Sequence, residues 1–452
     1  MKRRIVVIGG VAAGTSAAAK AKRTNPDAEV VLYEAGDHIS YGVCEIPYFV
    51  SDEITDPEKL LIYTPERFLK EKNVTAFTNH YVDRIDTSKR ELTVKNIGSG
   101  KIQRDHYDKL ILATGCESKK LGLEGENARN VFHVKSLSAA YALKKFIRDE
   151  KPESAVIIGS GFIGLEMAEA FRNIGLDVTL ISKSSLPMSS METEIRILVK
   201  EEIESRGIRF IGNAQPEWFG VGQQNNVVAV GTKNESIAAD LVVVAIGVRP
   251  NTALASASGI KIGNFGGIVT TDRMNVFGAD NVFAAGDCCE IKNIITQKSM
   301  YLSLATTASK TGWVAGENAA GGTSKFSGAV KAIGLRFFDK EISQVGLNTS
   351  EAAQYGFQPV SATITASTKA GMMSGNSKIT ITAIADKKSG TLLGANIFGG
   401  DGSVLRGNIF AVALRQKMTV SEIAELDLIY TPPLAPLWDG VLVSGRTLKK
   451  QI

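Results

Sequence analysis

The sequence predicts an α/β protein with two Rossmann-like domains, the second inserted in the first, followed by an α+β domain. Two strand–turn–helix units with glycine-rich turns, "IVVIGGVAAG" and "AVIIGSGFIG", predict the two α/β domains. From about Phe326 the glycine-rich units stop. Strands such as "KITITAIAD" and a helical segment, "SVLRGNIFAVALRQ", then predict an antiparallel sheet with helices.

The first unit has the residues that a dinucleotide needs at its pyrophosphate and its ribose. Gly9 and Gly14 let the backbone approach a pyrophosphate, and the following helix presents free N–H groups at its N-terminus. Glu34 ends the second strand at the spacing, about 20 residues, where a carboxylate holds ribose hydroxyls. Val11 departs from the strict pattern, which has its middle glycine there. Two such units in one chain indicate nucleotide binding far more strongly than one.

The second unit is complete, with Gly159, Gly161 and Gly164 in its phosphate turn. Apolar strands typical of the first domain occur on both sides of it, in "YDKLILATG" and "NVFAAGDC". The chain therefore leaves the first domain and returns to it. The predicted domains are 1–117 with 249–325, then 118–248, and finally 326–452 as the dimerisation domain.

Composition and charge argue against several function classes. The 452 residues have a formal net charge of +5 and no long basic block, so no nucleic-acid partner is expected. Four cysteines and four histidines show no zinc-site spacing, and such sparse cysteine usage fits a reducing cytoplasm. The start, "MKRR" before an apolar stretch, imitates a secretory signal, but glycines interrupt it. We expect an uncleaved, soluble, cytoplasmic protein with no membrane span and no metal.

Six segments of the chain match the motifs of one family in order: "GGVAAG", the strand ending on Glu34, "LILATG", "GSGFIGLEMAEA", "AIGVRPN" and "VFAAGDC". Over essentially its whole length the sequence closely resembles the flavoprotein disulfide reductases with two dinucleotide-binding domains. The resemblance implies a homodimeric enzyme that uses FAD and either NADPH or NADH. The FAD contacts that it implies are Gly9, Gly14, Glu34, Thr114, Gly115 and Asp287.

Cys44 stands alone in "SYGVCEIPYF", shortly after the first unit. Glutathione-reductase-like members carry a second cysteine five residues later, where this chain has Phe49. The sequence therefore resembles the single-cysteine branch: coenzyme A disulfide reductases, persulfide or polysulfide reductases, NADH peroxidases and water-forming NADH oxidases. The ending "ELDLIYTPPLAPLWDGVL" is similar to that of the coenzyme A disulfide and persulfide group. We expect Cys44 to be a redox nucleophile, with a pKa lowered by its place at a helix N-terminus beside an oxidised flavin.

Three further positions, Ala12, Phe162 and Glu166, bear on the reaction. Peroxidases and oxidases of this branch have a histidine in the first glycine loop, where this chain has Ala12, so thiol–disulfide chemistry is favoured over reduction of peroxide or oxygen. In the second unit the resemblance places Phe162 as an aromatic gate over the flavin and Glu166 near the nicotinamide. Packing is the default interpretation for the other three cysteines, Cys116, Cys288 and Cys289.

Basic residues suggest phosphate contacts at two places. Ser182 and Lys183 stand where NADH-preferring relatives have a glutamate, and a hydroxyl with an ammonium would attract the 2′-phosphate of NADPH. Lys20 and Arg23 lie one turn apart on the first helix, in the region that grips coenzyme A in related reductases. A solvated helix face is the alternative for that pair, and an indifferent surface residue is the alternative for Lys183.

Three departures from the family affect the substrate site. "GVCEIP" replaces "ANCGLP", which puts Val43 and Glu45 beside the nucleophile, and Met372 and Met373 align with a motif that contains a tyrosine. Tyr430, which relatives supply across the dimer interface, is retained. The resulting expectation is an NAD(P)H-dependent reductase of a small disulfide, persulfide or polysulfide, with coenzyme A disulfide first. The alternatives are an NADH oxidase or peroxidase and a non-enzymatic flavoprotein that senses redox state or passes electrons.

Overall fold

The computed structural model describes residues 2–452, and its first α/β domain is built on a parallel sheet. The strand order is β20-β21-β9-β1-β2-β5, in which only the β20 edge is antiparallel. These strands are β1 (Arg4–Ile8), β2 (Glu29–Tyr33), β5 (Thr75–Phe77), β9 (Lys109–Leu112), β20 (Asn275–Val276) and β21 (Ala279–Ala284). The continuous apolar runs in β1 and β9 follow from burial on both faces of the sheet.

Helices and small strand pairs surround this sheet. The helices are α1 (Val11–Thr24), α2 (Ile46–Val50), α3 (Pro65–Lys72), α7 (Ala253–Ala257) and α8 (Ala305–Ala319), with 3₁₀ turns at Pro57–Leu60 and Gly286–Cys288. The additional strands are β3 (Ser40–Tyr41), β4 (Leu61–Tyr63), β6 (His80–Asp86), β7 (Glu91–Asn96), β8 (Ile102–His106), β10 (Cys116–Ser118), β19 (Val248–Pro250), β22 (Glu290–Lys292) and β23 (Ser299–Tyr301).

Helices α1 and α8 pack unusually closely because small residues face each other. A Cβ atom added at Gly312 would lie 2.3 Å from the carbonyl oxygen of Ala13, and one added at Gly316 would lie 2.1 Å from that of Ala17. The alanine-rich sequence of α1 therefore reflects contact between two helix backbones. This contact fixes the N-terminal end of α1 against the strand ends of the first sheet.

The second α/β domain lies between β9 and β20 in the chain, which confirms the predicted insertion. Its parallel sheet has the order β11-β18-β12-β13-β14, and a small antiparallel sheet, β15-β16-β17, lies beside it. The strands are β11 (Val131–Phe132), β12 (Ser154–Ile158), β13 (Asp177–Ile181), β14 (Arg209–Ile211), β15 (Pro216–Val221), β16 (Val227–Thr232), β17 (Ser236–Ala238) and β18 (Leu241–Val244). The helices are α4 (Leu137–Glu150), α5 (Phe162–Asn173) and α6 (Thr193–Ser205), with a 3₁₀ turn at Gln223–Asn225.

The third domain is a five-stranded antiparallel sheet covered by helices, so the predicted fold class is confirmed. The strand order is β24-β25-β28-β27-β26. These strands are β24 (Ala332–Phe337), β25 (Lys340–Gly346), β26 (Pro359–Ser367), β27 (Lys378–Asp386) and β28 (Leu392–Gly399). The helices are α9 (Thr349–Gln354), α10 (Ser403–Arg415), α11 (Val420–Ala424) and α12 (Gly440–Lys449). No helix within residues 2–452 combines the length and the apolar character needed to cross a membrane.

A buried ion pair joins helices α10 and α12 of the third domain. Arg406 Nε donates to Asp439 Oδ2 at 2.9 Å, and its Nη2 lies 2.8 Å from the same oxygen. Nη2 also donates to the carbonyl of Thr368 at 3.1 Å. Asp439 in turn accepts from the Val441 N–H at the start of α12. Both charged side chains are buried, so each depends on the other for solvation.

We expect Arg406→Ala to destabilise the third domain by about 3–5 kcal/mol, because Asp439 would remain as a buried charge without its partner. Hydrogen exchange of the β27 amides measures this local stability. Arg415→Ala on the exposed side of α10, where the guanidinium contacts only Ser327, is the matched control and should cost less than about 0.5 kcal/mol. Equal losses in the two variants would contradict the role of the ion pair.

Candidate active site

A single large cavity lies between the two α/β domains and reaches the third domain. Its volume is about 1510 Å³, whereas one small-molecule ligand usually takes a pocket of about 300–1,000 Å³. The cavity therefore has room for more than one ligand. Both glycine turns, Cys44 and the N-terminal end of α8 line it.

The first glycine turn is held by contacts that only glycine permits. Gly9 has φ of +95°, and a Cβ there would lie 2.2 Å from the carbonyl oxygen of Ala113. A Cβ on Gly14 would lie 1.8 Å from the carbonyl oxygen of Gly9. Val11 adopts φ of +51° at the position of the absent middle glycine, a costly conformation for a β-branched residue. The strained turn still directs the N-terminus of α1 into the cavity.

Glu34 directly follows β2 beside this turn and lines the cavity. Its two carboxylate oxygens accept backbone hydrogen bonds from Gly10 and Gly36, each at 2.7 Å. Thr114 and Gly115 follow β9 at the same edge of the sheet. The hydroxyl of Thr114 donates to the carbonyl of Asn251 at 2.6 Å, which ties together the two chain segments of the first domain.

The second glycine turn has the same geometry. Gly159 has φ of +112°, and a Cβ there would lie 2.4 Å from the carbonyl oxygen of Ala245. A Cβ on Gly164 would lie 1.9 Å from the Gly159 carbonyl oxygen. A Cβ on Gly161, in contrast, would meet no protein atom within 4 Å. Since Gly161 lines the cavity, this open space at the start of α5 fits the close approach of a bound pyrophosphate.

Ser182 and Lys183 differ in their surroundings at the end of β13. The Ser182 side chain is buried and accepts a hydrogen bond from the Ser160 hydroxyl at 2.8 Å. Lys183 is exposed, lines the cavity and makes no ion pair with any described residue. Of the two, only Lys183 has an uncommitted polar group to offer to a phosphate.

Cys44 is exposed on the cavity wall just before α2, whose N-cap is Glu45. The expected lowering of its pKa depends on a neighbouring oxidised flavin and stays a prediction, and the protein's own groups act in the opposite direction. Although the side chain is accessible from the cavity, desolvation by the surrounding wall raises the pKa of the Cys44 thiol, and the charges of Glu45 and Glu166 raise it further. Lys135 acts in the opposite direction. The net effect of the protein's own groups is a raised pKa. Formation of the Cys44 thiolate therefore requires additional positive charge nearby or a group that accepts the thiol proton.

A polar cluster surrounds Asp287, the predicted contact to the flavin side chain. The thiol of Cys116 donates to Asp287 Oδ2 at 3.2 Å, and the Ser303 hydroxyl donates to the same oxygen at 2.5 Å. Lys135 Nζ lies 3.9 Å from it. Cys116 therefore belongs to the cavity wall and not to the core. Cys288 and Cys289 are buried with their sulfurs 3.8 Å apart, and no disulfide joins them.

Phe162 and Glu166 lie on α5 and line the cavity. Phe162 is the first residue of the helix, and Glu166 follows one turn later on the same face. Burial, with a smaller contribution from Glu169, raises the pKa of Glu166 to about 7. Protonated and ionised forms of this carboxyl therefore coexist near neutral pH, which suits a proton donor and acceptor.

The structure brings Lys20 into contacts that sequence reasoning did not foresee. Its ammonium lies 2.6 Å from Glu317 Oε2 and 3.9 Å from the ring centroid of Trp313. Both partners are on α8, so the Lys20 ammonium already stabilises the contact between α1 and α8. This engagement counts against the expected role of Lys20 in binding a phosphate. Arg23 is exposed and makes no ion pair with any residue from 2 to 452.

Tyr430 lies outside the cavity, on the third domain. Its side chain is 49% exposed, among neighbouring exposed apolar residues such as Ile429, Leu434 and Trp438. Met372 is also exposed, and its loop bonds to the Tyr430 segment through the Ala370 N–H and the Pro432 carbonyl. An exposed apolar surface of this kind is typical of a protein–protein interface. A contribution of Tyr430 to the site requires a partner subunit.

Sequence reasoning missed Lys135, Tyr301 and Ser303, and it assigned Cys116 to packing. Tyr301 lines the cavity, and its hydroxyl is buried without a hydrogen-bond partner in the described chain. These residues carry no motif of their own. They reach the site because β10, β23 and the segment before α4 converge on Asp287. Only the strand ends next to the "VFAAGDC" motif could have indicated them.

This arrangement of two glycine turns on parallel sheets, facing one cavity with a thiol, defines a two-nucleotide oxidoreductase. The chain belongs to the pyridine nucleotide-disulphide oxidoreductase family. Residues 3–312 match that family, and residues 334–439 match its dimerisation domain. The predicted enzyme class and the expectation of FAD with NADH or NADPH are confirmed at the level of this family.

Relatives cover essentially the whole chain. It is 34% identical over 451 residues to the NAD(P)H coenzyme A polysulfide/persulfide reductase of Pyrococcus horikoshii, covering 99% of each protein. It is 28% identical over 450 residues to the NADH oxidase of Methanocaldococcus jannaschii, again with 99% of each covered. The crystal structure of reduced Bacillus anthracis CoADR-RHD is similar with a TM-score of 0.96 at 29% identity. That match covers 100% of this chain and 80% of the other.

Proposed function

We propose that this protein is an NAD(P)H-dependent reductase of low-molecular-weight disulfides, persulfides or polysulfides, with coenzyme A disulfide as the first candidate substrate. The observation that carries the proposal is the thiol of Cys44, exposed on the cavity that both glycine turns line. The names of its relatives support the substrate class, since a coenzyme A polysulfide/persulfide reductase is among them. The free thiols of the chain fit a reducing cytoplasm.

The cavity fits FAD near the first glycine turn and a nicotinamide nucleotide near the second. Gly9, Gly14, Glu34, Thr114, Gly115 and Asp287 would hold FAD, and Gly159, Gly161, Gly164, Phe162, Glu166, Ser182 and Lys183 would hold the nicotinamide nucleotide. Bound FAD supplies the capacity to take two electrons from the nicotinamide and pass them to sulfur. The protein's own task is to orient both nucleotides and to control the protons at sulfur.

The proposed reaction begins when the Cys44 thiolate attacks a disulfide RS–SR. The substrate S–S bond breaks, a Cys44–S–S–R bond forms, and RS⁻ leaves and takes a proton. Two electrons from NAD(P)H then reduce the mixed disulfide to the Cys44 thiolate and a second RSH. The sum is NAD(P)H + H⁺ + RSSR giving NAD(P)⁺ + 2 RSH. One external proton is needed in each turnover.

Replacing Cys44 with Ser should leave FAD content and NAD(P)H binding intact but lower disulfide turnover by about 10³-fold or more, because the covalent nucleophile is lost. Steady-state kinetics with coenzyme A disulfide measure this change. Cys289→Ala, at a thiol buried away from the cavity, is the control and should keep its turnover. Near-normal turnover in Cys44→Ser would contradict the mechanism.

We further propose that NADPH serves at least as well as NADH. Lys183 supplies a positive charge at the end of β13. Ser182, which accepts a hydrogen bond from the Ser160 hydroxyl, stands at the position where a carboxylate would repel a phosphate. A 2′-phosphate would form a charge-assisted hydrogen bond with Lys183. The absence of a repelling carboxylate supports the same preference.

Lys183→Ala should lower kcat/KM for NADPH by about tenfold, the effect of one exposed charge-assisted contact, and leave kcat/KM for NADH nearly unchanged. Lys233→Ala removes an equal charge from an exposed site in the same domain and should affect neither coenzyme. Comparable losses with both coenzymes in Lys183→Ala, or a strong NADH preference in the native protein, would show that Lys183 does not contact the phosphate.

An NADH oxidase is the second candidate, because a relative has that name. Ala12 argues against it, since this position in α1 offers no proton donor to a departing hydroxide. His38, the nearest histidine in sequence, lies beside the rings of Tyr41 and Tyr141 and does not line the cavity. Stopped-flow reoxidation of the anaerobically reduced protein separates the candidates, because a disulfide reductase should be reoxidised faster by coenzyme A disulfide than by oxygen or peroxide.

The third domain supports a homodimer, in which the exposed surface around Tyr430 would be covered. Tyr430 would then reach the Cys44 site of the other subunit, as the resemblance implies. Glu45, next to Cys44, adds a negative charge that disfavours a strongly anionic group directly at the sulfur. A non-enzymatic sensor would show reduction by NAD(P)H without sustained turnover, which the same kinetics detect.

A further inference from the structure

Glu166 lines two cavities. One is the large cavity that contains Cys44, and the other is a small cavity on the outer side of α5, which Tyr48, Glu169 and Arg336 also line. The small cavity has a volume of about 10 Å³, room for about one water molecule with several polar neighbours. Pro47 is the other residue common to the two cavities and carries no proton donor. Glu166 is therefore the ionisable side chain that connects them.

Glu169 provides the outer carboxylate of this arrangement. It lies three residues beyond Glu166 on α5, hence on the same face, and is only 6% exposed. Its Oε1 lies 3.6 Å from Arg336 Nη2. A carboxylate is seldom buried unless it is paired, and here the Arg336 guanidinium provides that pairing.

Arg336 connects Glu169 to solvent and to the segment that follows Cys44. It comes from β24 of the third domain, and its side chain is 43% exposed. Its guanidinium pairs with Glu53 at 2.5 Å and lies 5.1 Å from the ring centroid of Tyr48. All three domains thus meet at this residue, next to the water-sized cavity.

The proposed reaction requires a proton at the sulfur that leaves. Glu166 is half-buried and makes no hydrogen bond or ion pair with any residue in 2–452, so its proton is not committed to a structural contact. Cys44 is close enough that the charge of Glu166 raises its pKa. The two groups face the same cavity.

We propose that Glu166, the small cavity and Glu169 form a proton path from solvent at Arg336 to the sulfur chemistry at Cys44. The inference rests on the proposed disulfide reduction. In each turnover the carboxylic acid of Glu166 gives its proton to the leaving RS⁻, forming RSH and the Glu166 carboxylate. A proton from solvent, passed through the small cavity beside Glu169, restores the acid. Glu169 and Arg336 are positioning residues, since neither lines the large cavity.

The charges around Glu166 determine the pH dependence. Cys44 faces it from the loop before α2, Tyr48 from α2, Glu169 from its own helix, and Arg336 lines the small cavity from β24. Since the pKa of Glu166 is about 7, the donor form is lost as pH rises above that value. Glu169 contributes to this elevation, so removing its charge lowers the pKa of Glu166 and moves the loss of activity to lower pH.

The test compares Glu169→Gln with Asp52→Asn in the FAD-containing protein. Asp52 carries an equal charge one residue before Glu53, but it pairs with Lys144 and lies outside the small cavity. For Glu169→Gln, the alkaline limb of kcat/KM for coenzyme A disulfide should move to lower pH. Above pH 7, kcat should fall about tenfold and recover on addition of imidazole as an external proton donor. Asp52→Asn should behave as the native protein.

A readout without turnover separates this inference from the proposed function. Infrared titration of the resting protein, with Glu166→Gln subtracted, follows the carboxylic acid of Glu166 directly. Its midpoint should shift to lower pH in Glu169→Gln, whether or not coenzyme A disulfide is the substrate. If Glu169→Gln folds poorly, Arg336→Lys replaces it and should slow turnover with the same imidazole rescue. A pH-independent loss of activity without rescue, or an unchanged Glu166 titration, would overturn the proton path.

Discussion

The close approach of backbone atoms at the two glycine turns is the constraint on which the site depends. Gly9 lies against the carbonyl of Ala113 and Gly159 against that of Ala245, so each turn locks a helix N-terminus to the end of a neighbouring parallel strand. Any side chain at these two positions would push the helix away from its sheet. Because the second domain is inserted between strands of the first, the two locked turns face each other across one cavity. The proposed disulfide chemistry depends on the thiol of Cys44, which lines this cavity just before α2.

The third domain influences this cavity through very few residues. Arg336 reaches from β24 to Glu53, Tyr48 and Glu169, and so connects the segment after Cys44 to the helix that carries Glu166. This contact makes the position of α5 relative to Cys44 depend on the third domain. It also accounts for a buried carboxylate on a helix that otherwise contacts the core. In the proposed proton path, residues of all three domains therefore meet in one small region.

The sequence predicted the fold class and the family because their signals are local: glycines at fixed offsets, Glu34 at the end of a strand, and a solitary Cys44. It could not predict groups that converge from distant segments. Cys116 and Ser303 are 187 positions apart in the sequence, yet both donate hydrogen bonds to the carboxylate of Asp287. Lys20 on α1 forms an ion pair with Glu317 on α8. The sequence also could not indicate that desolvation and the charges of Glu45 and Glu166 raise the pKa of Cys44, because these effects depend on the assembled cavity. The Tyr430 contact, which would involve a second subunit, stays a prediction.

The central claim, that Cys44 carries the substrate sulfur between the disulfide and NAD(P)H, is tested most directly by mass spectrometry of the protein after anaerobic incubation with coenzyme A disulfide. The account predicts one coenzyme A moiety in disulfide linkage on the Cys44 peptide, with the other cysteines unmodified. Addition of NADPH should remove it and release free coenzyme A. An unmodified Cys44, or an adduct that persists under NADPH, would contradict the account.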